Sequence, residues 1–330
     1  MRDENKEQIA ETREMKKEKQ TLYKVKLYSI FLFSLFFFLF FNCSSAPKKP
    51  AEIFTDRNMA VNQLNLANHT AGRGYYEDAL LILEEARRLA LGTDDPSLRI
   101  KTSMSRGSIC FSLGREDEAF EAWEAASKEG DLSGEPILAA LSRIYSIRAK
   151  LVLLGNRTDA QNTGAAVEGL KTQLSREMAA VKSDLPATAA GHVTMGLAEK
   201  EIGHWAEAES AVKKALAIHE KGLFLEDAAY DWFLIASIRS MAGNYESSLD
   251  ALRTAIRFDR RAENGFGIAS CWQAMGDVLQ KAGRNEESRT AWRRAMDIYR
   301  ALGISNGPIN WKTACRLHLH YFNPALHLCN

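Results

Sequence analysis

Proline and net charge are both scarce in this chain of 330 residues. Only 7 prolines accompany 21 glycines, and 46% of the residues are hydrophobic, which excludes disorder as the main state. The 43 Lys and Arg residues balance 42 Asp and Glu residues, so the formal net charge is +1. Such a chain has no overall field that would recruit nucleic acid or an anionic membrane. Any partner must therefore be selected by shape or by local chemistry.

Sequence motifs of catalysis are missing as well. The chain contains no GxxxxGK[ST] phosphate loop, no HExxH, no GxSxG and no CxxC. Two SxxK strings occur, but the SDN and KTG strings that accompany a catalytic SxxK are absent. Four histidines lie singly in predicted helices, where we interpret them as surface or packing residues: His69, His192, His204 and His219. We predict that the protein is not an enzyme and needs no cofactor.

An apolar run near the start of the chain is typical of a targeting segment. Residues 27–41 read LYSIFLFSLFFFLFF and carry no charge. A membrane-spanning helix needs about 20 apolar residues, so this run is too short to span, whereas it suits the apolar core of a secretory signal. Five lysines between Lys16 and Lys26 supply the basic region that precedes such a core. We predict that residues 1–42 are a signal peptide, with translation starting at Met15.

The motif Asn-Cys-Ser-Ser at positions 42–45 resembles the end of a bacterial lipoprotein signal. Asn42 stands where a strict lipobox has Ala, Ser or Gly, so the match is to a relaxed lipobox. The resemblance implies that Cys43 carries diacylglycerol and palmitate and holds the chain in the bacterial envelope, facing the periplasm. An uncleaved signal anchor and cleavage at another position are the alternatives. Residues 43–57 would then form a short extended tether.

One pattern recurs six times through the rest of the chain. It is a glycine followed five positions later by a small residue, with successive copies 40 to 48 positions apart. The copies begin at Gly74, Gly114, Gly155, Gly203, Gly243 and Gly283. The copy at Gly155 is the most divergent. Six units over residues 58–302 account for most of the chain after the signal.

Each unit has the pattern of a helical hairpin. A small residue lies seven positions before the glycine in five units, and Arg148 takes that place in the third. After the glycine, a large apolar residue precedes a small one by three positions, as at Trp123 and Ala126, which puts both on one helix face. A single hairpin cannot bury its apolar face, but a stack can. The sequence therefore predicts an all-α fold, an α-solenoid of six hairpins in single file that touch only their neighbours.

These units resemble tetratricopeptide (TPR) repeats. The family's pattern of a large residue, a small residue, a turn glycine, an aromatic residue and a final small residue is matched by Trp232, Ala236, Gly243, Tyr245 and Ala255. A second clear copy consists of Trp272, Gly276, Gly283, Trp292 and Ala295. The period here is near 40 residues, against 34 in the family, and the proline that closes a standard unit is missing.

The resemblance implies protein binding on a concave face formed by the first helices of the hairpins. Carried onto this chain, the family's groove pattern falls on Lys101, Met104, Ser108, Phe111, Val193, Leu197, Lys200, Tyr230, Phe233, Ser237, Gln273 and Asp277. We expect Phe111, Tyr230 and Phe233 to contact a partner, with packing between repeats as the alternative. The Lys, Asn and Arg residues of a carboxylate clamp are not evident. The expected ligand is a protein segment or an apolar small molecule.

Cysteine and histidine are concentrated at the end of the chain, in residues 303–330, which we expect to cap the solenoid. The residues concerned are Cys315, His318, His320, His327 and Cys329. Thiolates and imidazoles bind zinc, but this spacing matches no known ligand framework, so we predict no metal site. A disulfide between Cys315 and Cys329 and an ordinary packed tail are the alternatives. Elsewhere, Cys110 and Cys271 lie among small helical residues and are predicted to be buried thiols.

Three functions follow from these patterns. The first is a lipid-anchored adaptor that docks envelope or periplasmic proteins, and a broad open groove would favour it. The second is an accessory component of a tripartite (TRAP-type) solute transporter, because TPR lipoproteins that resemble this chain serve the solute-binding proteins of such transporters. An apolar pocket between repeats would favour this second function. The third is a metal-dependent protein that uses the cluster at the end of the chain, and it requires stoichiometric zinc.

Overall fold

The computed structural model describes residues 19–31, 33, 55–155 and 160–304, and it divides the chain into two units, Met1–Ile53 and Phe54–Asn330. In the first unit, the described residues are helical and their apolar side chains, such as Leu27 and Phe33, are exposed. Within the described ranges, no helix combines the length and the apolar character needed to cross a membrane. Cys43 and the cluster from Cys315 to Cys329 lie outside these ranges.

The described part of the second unit consists of helices of 17 to 21 residues joined by short turns, and it contains no strand. The helices are α1 (Thr55–Gly72), α2 (Tyr76–Gly92), α3 (Pro96–Ser112), α4 (Glu116–Leu132), α5 (Pro136–Gly155), α6 (Ala160–Ala180), α7 (Leu185–Glu201), α8 (Trp205–Gly222), α9 (Leu225–Met241), α10 (Tyr245–Arg261), α11 (Gly265–Lys281) and α12 (Asn285–Ala301). Thr55 to Arg57, which we assigned to the tether, belong to the first of these helices.

Local chemistry explains where several of these helices begin and end. The Asp95 carboxylate accepts a hydrogen bond from the Leu98 backbone N–H (3.1 Å) and caps α3, and Asp184 does the same for Ala187 (2.8 Å) at the start of α7. The turn glycines that follow α1, α3, α7, α9 and α11 have φ between 76° and 88°. This left-handed conformation costs glycine little and ends each first helix, as the sequence predicts.

The helices form two layers. Each helix packs against the next along the chain, and several first helices of hairpins also pack against one another: α1 on α3, α3 on α5, α5 on α7, and α9 on α11. The odd-numbered helices therefore form an inner layer and the even-numbered helices an outer layer. Helices α3 and α5 begin at residues 96 and 136, and helices α9 and α11 begin at residues 225 and 265. Each pair is 40 residues apart, which confirms the predicted period, and the longer third hairpin lies between the two pairs. The predicted all-α solenoid of six hairpins is confirmed with it.

The two helices of a hairpin approach most closely at a glycine of the inner helix. A Cβ atom added to Gly107 would lie 2.6 Å from Nε1 of Trp123, which is itself buried and donates a hydrogen bond to the Met104 carbonyl. A Cβ atom added to Gly276 would lie 2.3 Å from the Trp292 ring. In these two hairpins, the glycine before the turn and the tryptophan after it are therefore complementary partners across the hairpin.

The first and last hairpins also meet, which corrects the expectation that hairpins touch only their neighbours. The hydroxyl of Tyr75, in the turn between α1 and α2, donates a hydrogen bond to the Leu302 carbonyl after α12 (2.5 Å). Beside it, the Phe266 ring and the Ile304 side chain lie within 2.9 and 3.1 Å of the position that a Cβ of Gly74 would take. Six hairpins thus curve far enough to bring the two ends of the array together, and we call this contact the closure.

Replacing Gly107 with alanine should destabilise the fold, because the added methyl group meets the immobile Trp123 ring. Gly169 is the matched control, since it lies exposed inside α6 with nothing within 4 Å of an added Cβ. Replacing glycine with alanine inside a helix raises helix propensity by about 1 kcal/mol in both variants. The difference between their free energies of unfolding therefore measures the clash of the added methyl group with the Trp123 ring. We expect Gly169→Ala to be more stable than Gly107→Ala by roughly 1–3 kcal/mol in denaturant unfolding. Equal stabilities would contradict the close approach.

Candidate functional site: the inner face

All twelve predicted binding residues lie on the inner layer, on α3, α7, α9 and α11. We call the surface that they and their neighbours on α5 form the inner face. Ten of the twelve are buried, and only Gln273 and Asp277 are half-buried. Most of the predicted binding residues are therefore buried, and their role in binding a partner stays a prediction.

The aromatic candidates are part of the packed interior. The Phe111 ring is fully buried, and its centroid lies 5.9 Å from that of Trp123. Phe233 and Tyr230 are also buried and belong to the same apolar cluster. This arrangement favours the packing role that we gave as the alternative. Contact of these three side chains with a partner stays a prediction.

Asp277 is the candidate whose carboxylate contacts the outer layer. Its carboxylate accepts a hydrogen bond from Nε1 of Trp292 on the outer helix α12 (2.9 Å). Burial raises the pKa of Asp277, and this hydrogen bond opposes the rise. The carboxylate of Asp277 therefore contacts the outer layer, and its place in a binding groove stays a prediction.

Polar side chains are common on the inner face in spite of its burial. Lys101, Ser105, Ser108 and Ser112 follow one another at intervals of four, three and four residues, which places them on one stripe of α3. All four are buried. The Ser108 hydroxyl donates a hydrogen bond to the Met104 carbonyl of its own helix (3.2 Å).

Arg148 holds the third hairpin to the fourth. Its guanidinium is fully buried, and it donates hydrogen bonds to the Thr194 hydroxyl (3.0 Å) and to the Ala190 carbonyl (2.8 Å), both on α7. It also lies over the Tyr145 ring, 5.3 Å from the centroid. In the other hairpins this position holds a small residue that receives the outer helix. Here a long side chain links two inner helices instead.

A buried His–Asp pair lies next to the inner face, and sequence reasoning missed it. Nδ1 of His219 in α8 and Oδ2 of Asp231 in α9 are 2.6 Å apart, with both side chains buried. Burial raises the pKa of Asp231 to about 6, although the hydrogen bond with His219 opposes the rise. Burial alone would lower the pKa of His219, but its hydrogen bond with Asp231 and the nearby charges outweigh burial and raise it. Enclosure keeps substrate from this pair, so we assign it a structural role.

The cysteine predictions are confirmed where the structure describes them. Cys110 and Cys271 are buried free thiols, and burial raises the pKa of both. Cys271 Sγ lies 3.8 Å from the Asp259 carboxylate, which also accepts a hydrogen bond from the Asn264 amide (2.7 Å). Among residues 19–31, 33, 55–155 and 160–304, no group of three or more His, Cys, Asp or Glu side chains is placed to hold a metal ion.

An open depression with a volume of about 660 Å³ lies on the outer layer rather than on the inner face. It is lined by Ala206, Glu209, Ser210, Lys213, Lys214 and Ala217, all on α8. A single helix face with exposed charges offers little enclosure, and ligand sites in proteins are typically concave and mostly apolar. The inner face is therefore the better candidate for binding.

The described helices form an all-α helical repeat fold, and solved TPR-like structures are similar to it. A crystal structure of a Rap protein complexed with Competence and Sporulation Factor is similar, with a TM-score of 0.52 and 13% sequence identity over 73% of this chain and 75% of that one. A Podosopora anserina kinesin light chain structure with nearly identical TPR-like repeats gives a TM-score of 0.37 and 14% identity, over 76% and 98% of the two chains. No protein-family model and no curated protein matches the chain.

Replacing Asp259 with asparagine should remove a pH-dependent loss of stability. Burial raises the pKa of Asp259 well above its usual range, so the native state favours the protonated carboxyl group. An unfolded Asp titrates near pH 3.9, so the stability of the wild type falls as the pH rises above that value towards the native pKa. An asparagine at this position keeps the shape of the neutral acid, and at pH 8 it should stabilise the fold by on the order of 1–3 kcal/mol.

The measurement is thermal unfolding of both chains at pH 4 and at pH 8. The advantage of the Asp259→Asn variant should grow with pH. Asp250→Asn, an exposed carboxylate on the same helix that pairs with Arg253, is the matched control and should show no such growth. A constant difference between wild type and Asp259→Asn at both pH values would contradict the buried, protonated acid.

Proposed function

We propose that this protein is a lipid-anchored adaptor of the bacterial cell envelope, and that its inner face binds a segment of a partner protein. The observation that carries the proposal is the inner layer itself. In it, the first helices of successive hairpins lie side by side, and they carry polar side chains such as Lys101, Lys200 and Gln273. A surface built from repeated hairpins suits an extended polypeptide, because each hairpin presents similar positions to the next part of the ligand.

The similar solved structure supports the binding half of the proposal. The Rap protein is complexed with Competence and Sporulation Factor, and it shares the helical repeat fold over 73% of this chain. In the described residues of this chain, the buried polar clusters are enclosed and hold their side chains in structural hydrogen bonds, as His219 and Asp231 do. Binding rather than catalysis is the function that such an interior supports.

The first unit of the chain supports the proposal that the protein is anchored to a membrane. Its described residues form a helix whose apolar side chains are largely exposed, 65% at Leu27, 68% at Ile30 and 70% at Phe33. An exposed apolar helix is stable in a lipid environment rather than in water. Lysines precede the apolar run, which is the order found in an export signal. We therefore propose that Cys43, which follows the run, is the lipidated residue.

Replacing Cys43 with alanine should release the exported protein from the membrane. Acyl chains contribute about 0.8 kcal/mol for each buried CH₂ group, so losing several chains abolishes stable anchoring. In cells labelled with palmitate, the wild type should carry the label and partition into detergent, whereas the Cys43→Ala variant should do neither. Ser45→Ala, two residues further along, is the matched control and should behave as wild type. Label retained by Cys43→Ala would disprove lipidation at this residue.

A photo-cross-linking residue on the inner face should capture the partner in living cells. Gln273 is the best position, because it lies on the inner layer and is only half-buried, so a benzoylphenylalanine there disturbs packing least. Illumination should join position 273 to a discrete protein, identified by mass spectrometry. Ser210, exposed on the outer helix α8, is the matched control and should give no such product.

The identity of the captured protein separates the functions. A solute-binding protein would assign the transporter-accessory role, and another envelope protein would assign the adaptor role. Thermal unfolding of both substituted chains confirms that they fold. Partner adducts that form at position 210 and not at position 273 would refute the inner face as the binding surface.

A further inference from the structure

Charge on the outer layer changes sign from one end of the array to the other. Helices α2 and α4, in the first two hairpins, carry eleven Asp and Glu residues and three Lys and Arg residues. Helices α10 and α12, in the last two hairpins, carry eight arginines and no lysine, and one of their six acids, Asp259, is buried. We call the exposed side of α2 and α4 the acidic outer face, and the exposed side of α10 and α12 the arginine outer face.

One exposed position of the repeat shows this reversal directly. It lies ten residues after the turn glycine, and it holds Glu84 and Glu124 in the first two hairpins and Arg253 and Arg293 in the last two. All four residues are exposed, so packing does not select their charge. Each pair is 40 residues apart and lies on consecutive hairpins of one scaffold. The two glutamates therefore have a spacing similar to that of the two arginines.

Helix stability alone does not set the sign of these charges. The helix macrodipole favours basic residues in the last turn, which suits Arg260 and Arg300, seventeen residues after their turn glycines. The same position in α4 holds Asp131, which pairs with Arg143 (3.0 Å) but opposes the macrodipole. The charge at this position therefore follows the place of the hairpin in the array.

The charges on both faces are available to a partner. Arg253 pairs with Asp250 (2.6 Å) and Glu124 pairs with Lys128 (2.6 Å), but all four side chains are more than half exposed. Exposed pairs of this kind contribute little to stability, so contacts with a partner can replace them. Within the described ranges of the chain, Arg293 forms no ion pair with a carboxylate.

Arginine suits a carboxylate partner better than lysine does, because its planar guanidinium binds both carboxylate oxygens at once. On the arginine outer face, aromatic rings orient two of the guanidinium groups. Arg294 lies over the Trp272 ring, 4.5 Å from its centroid, and Arg261 lies over the Phe258 ring at 5.7 Å. This face therefore fits an acidic protein surface, and the acidic outer face of a second copy has that charge at a similar spacing.

We propose that the arginine outer face of one copy of this chain binds the acidic outer face of a second copy, head to tail. The contact places Arg253 and Arg293 of one copy against Glu84 and Glu124 of the other. Because the two faces are different surfaces, each copy in a pair keeps one face free, and further copies can add. Neither face belongs to the inner layer, so this contact does not rest on the proposed function.

The size of the two faces indicates a weak contact. A helix of 17 residues is about 25 Å long, and two neighbouring outer helices cover about 20 Å, so each face measures roughly 500 Å². Interfaces below about 1,200 Å² in total are typical of transient complexes. Exposed charges attract one another over about 30 Å at 0.01 M salt and over about 3 Å at 1 M salt. We therefore expect reversible association that is strongest at low salt.

Sedimentation velocity of the purified full-length chain tests this contact, in a neutral detergent that covers the exposed apolar residues of the first unit. At about 0.01 M salt, the sedimentation coefficient of the wild type should rise with protein concentration, and at about 1 M salt this rise should disappear. Arg253→Glu combined with Arg293→Glu should weaken the association at least about ten-fold, because like charges then face each other. Glu84→Arg combined with Glu124→Arg should weaken it to a similar extent.

Mixing the two variants gives the sharpest test. Each variant alone has two outer faces of like charge, but in the mixture each face meets one of opposite charge, so association should return. A single chain with all four substitutions should also associate as the wild type does. Lys213→Glu combined with Lys214→Glu, two exposed residues of α8, is the matched control. It changes the net charge as much as the arginine variant does and should leave the association unchanged.

Two results would disprove the contact, with thermal unfolding used to confirm that every variant is folded. One is equal association of the wild type and both double variants, and the other is a mixture of the double variants that does not associate. The wild type could also fail to associate at low salt and bind vesicles of phosphatidylglycerol through Arg253 and Arg293. That outcome would assign the arginine outer face to anionic lipid and reject the second copy as its partner.

Discussion

Close contact between paired helices at a residue without a side chain is the constraint on which the rest of the structure depends. At Gly107 and Gly276, an indole ring of the outer helix lies where a Cβ would otherwise stand. This contact fixes the distance and the angle between the two helices of a hairpin. Three of the six units have a glycine at this position and two have an alanine, so these hairpins share a similar geometry, and the small rotation from one to the next accumulates. The curvature that joins the ends of the array arises from this accumulation.

The repeat geometry could be predicted from the sequence because its causes are local. Turn glycines, small residues seven positions earlier and large residues on the second helix are visible at fixed spacing, and the structure confirms their roles at Gly243 and at Trp123. The closure could not be predicted in this way. Tyr75 and Leu302 are 227 positions apart, and their contact depends on the sum of many small rotations, to which no single residue gives a visible signal.

Burial of the inner face was also beyond the reach of sequence reasoning. The family pattern falls on inner helices, but it carries no information on burial, and Ser108 and Ser237 are buried here. The hydrogen bond that the Asp277 carboxylate accepts from Trp292 on the neighbouring helix has no signal in the sequence either. The sequence gives only a weak signal for the His219–Asp231 pair, because the two residues are ionisable and lie twelve positions apart on consecutive predicted helices. Only the packing of these helices shows that the two side chains meet.

Joining of the two ends by Tyr75 and Leu302 has a consequence for how this array can change over evolutionary time. An open solenoid tolerates duplication or deletion of a unit, since each unit needs only its two neighbours. Here, an extra hairpin in the middle would rotate the last unit past the first, and Phe266 would no longer cover Gly74. The number of units is therefore part of the fold itself, and descendants of this chain should vary in their turns and outer surfaces while keeping six hairpins.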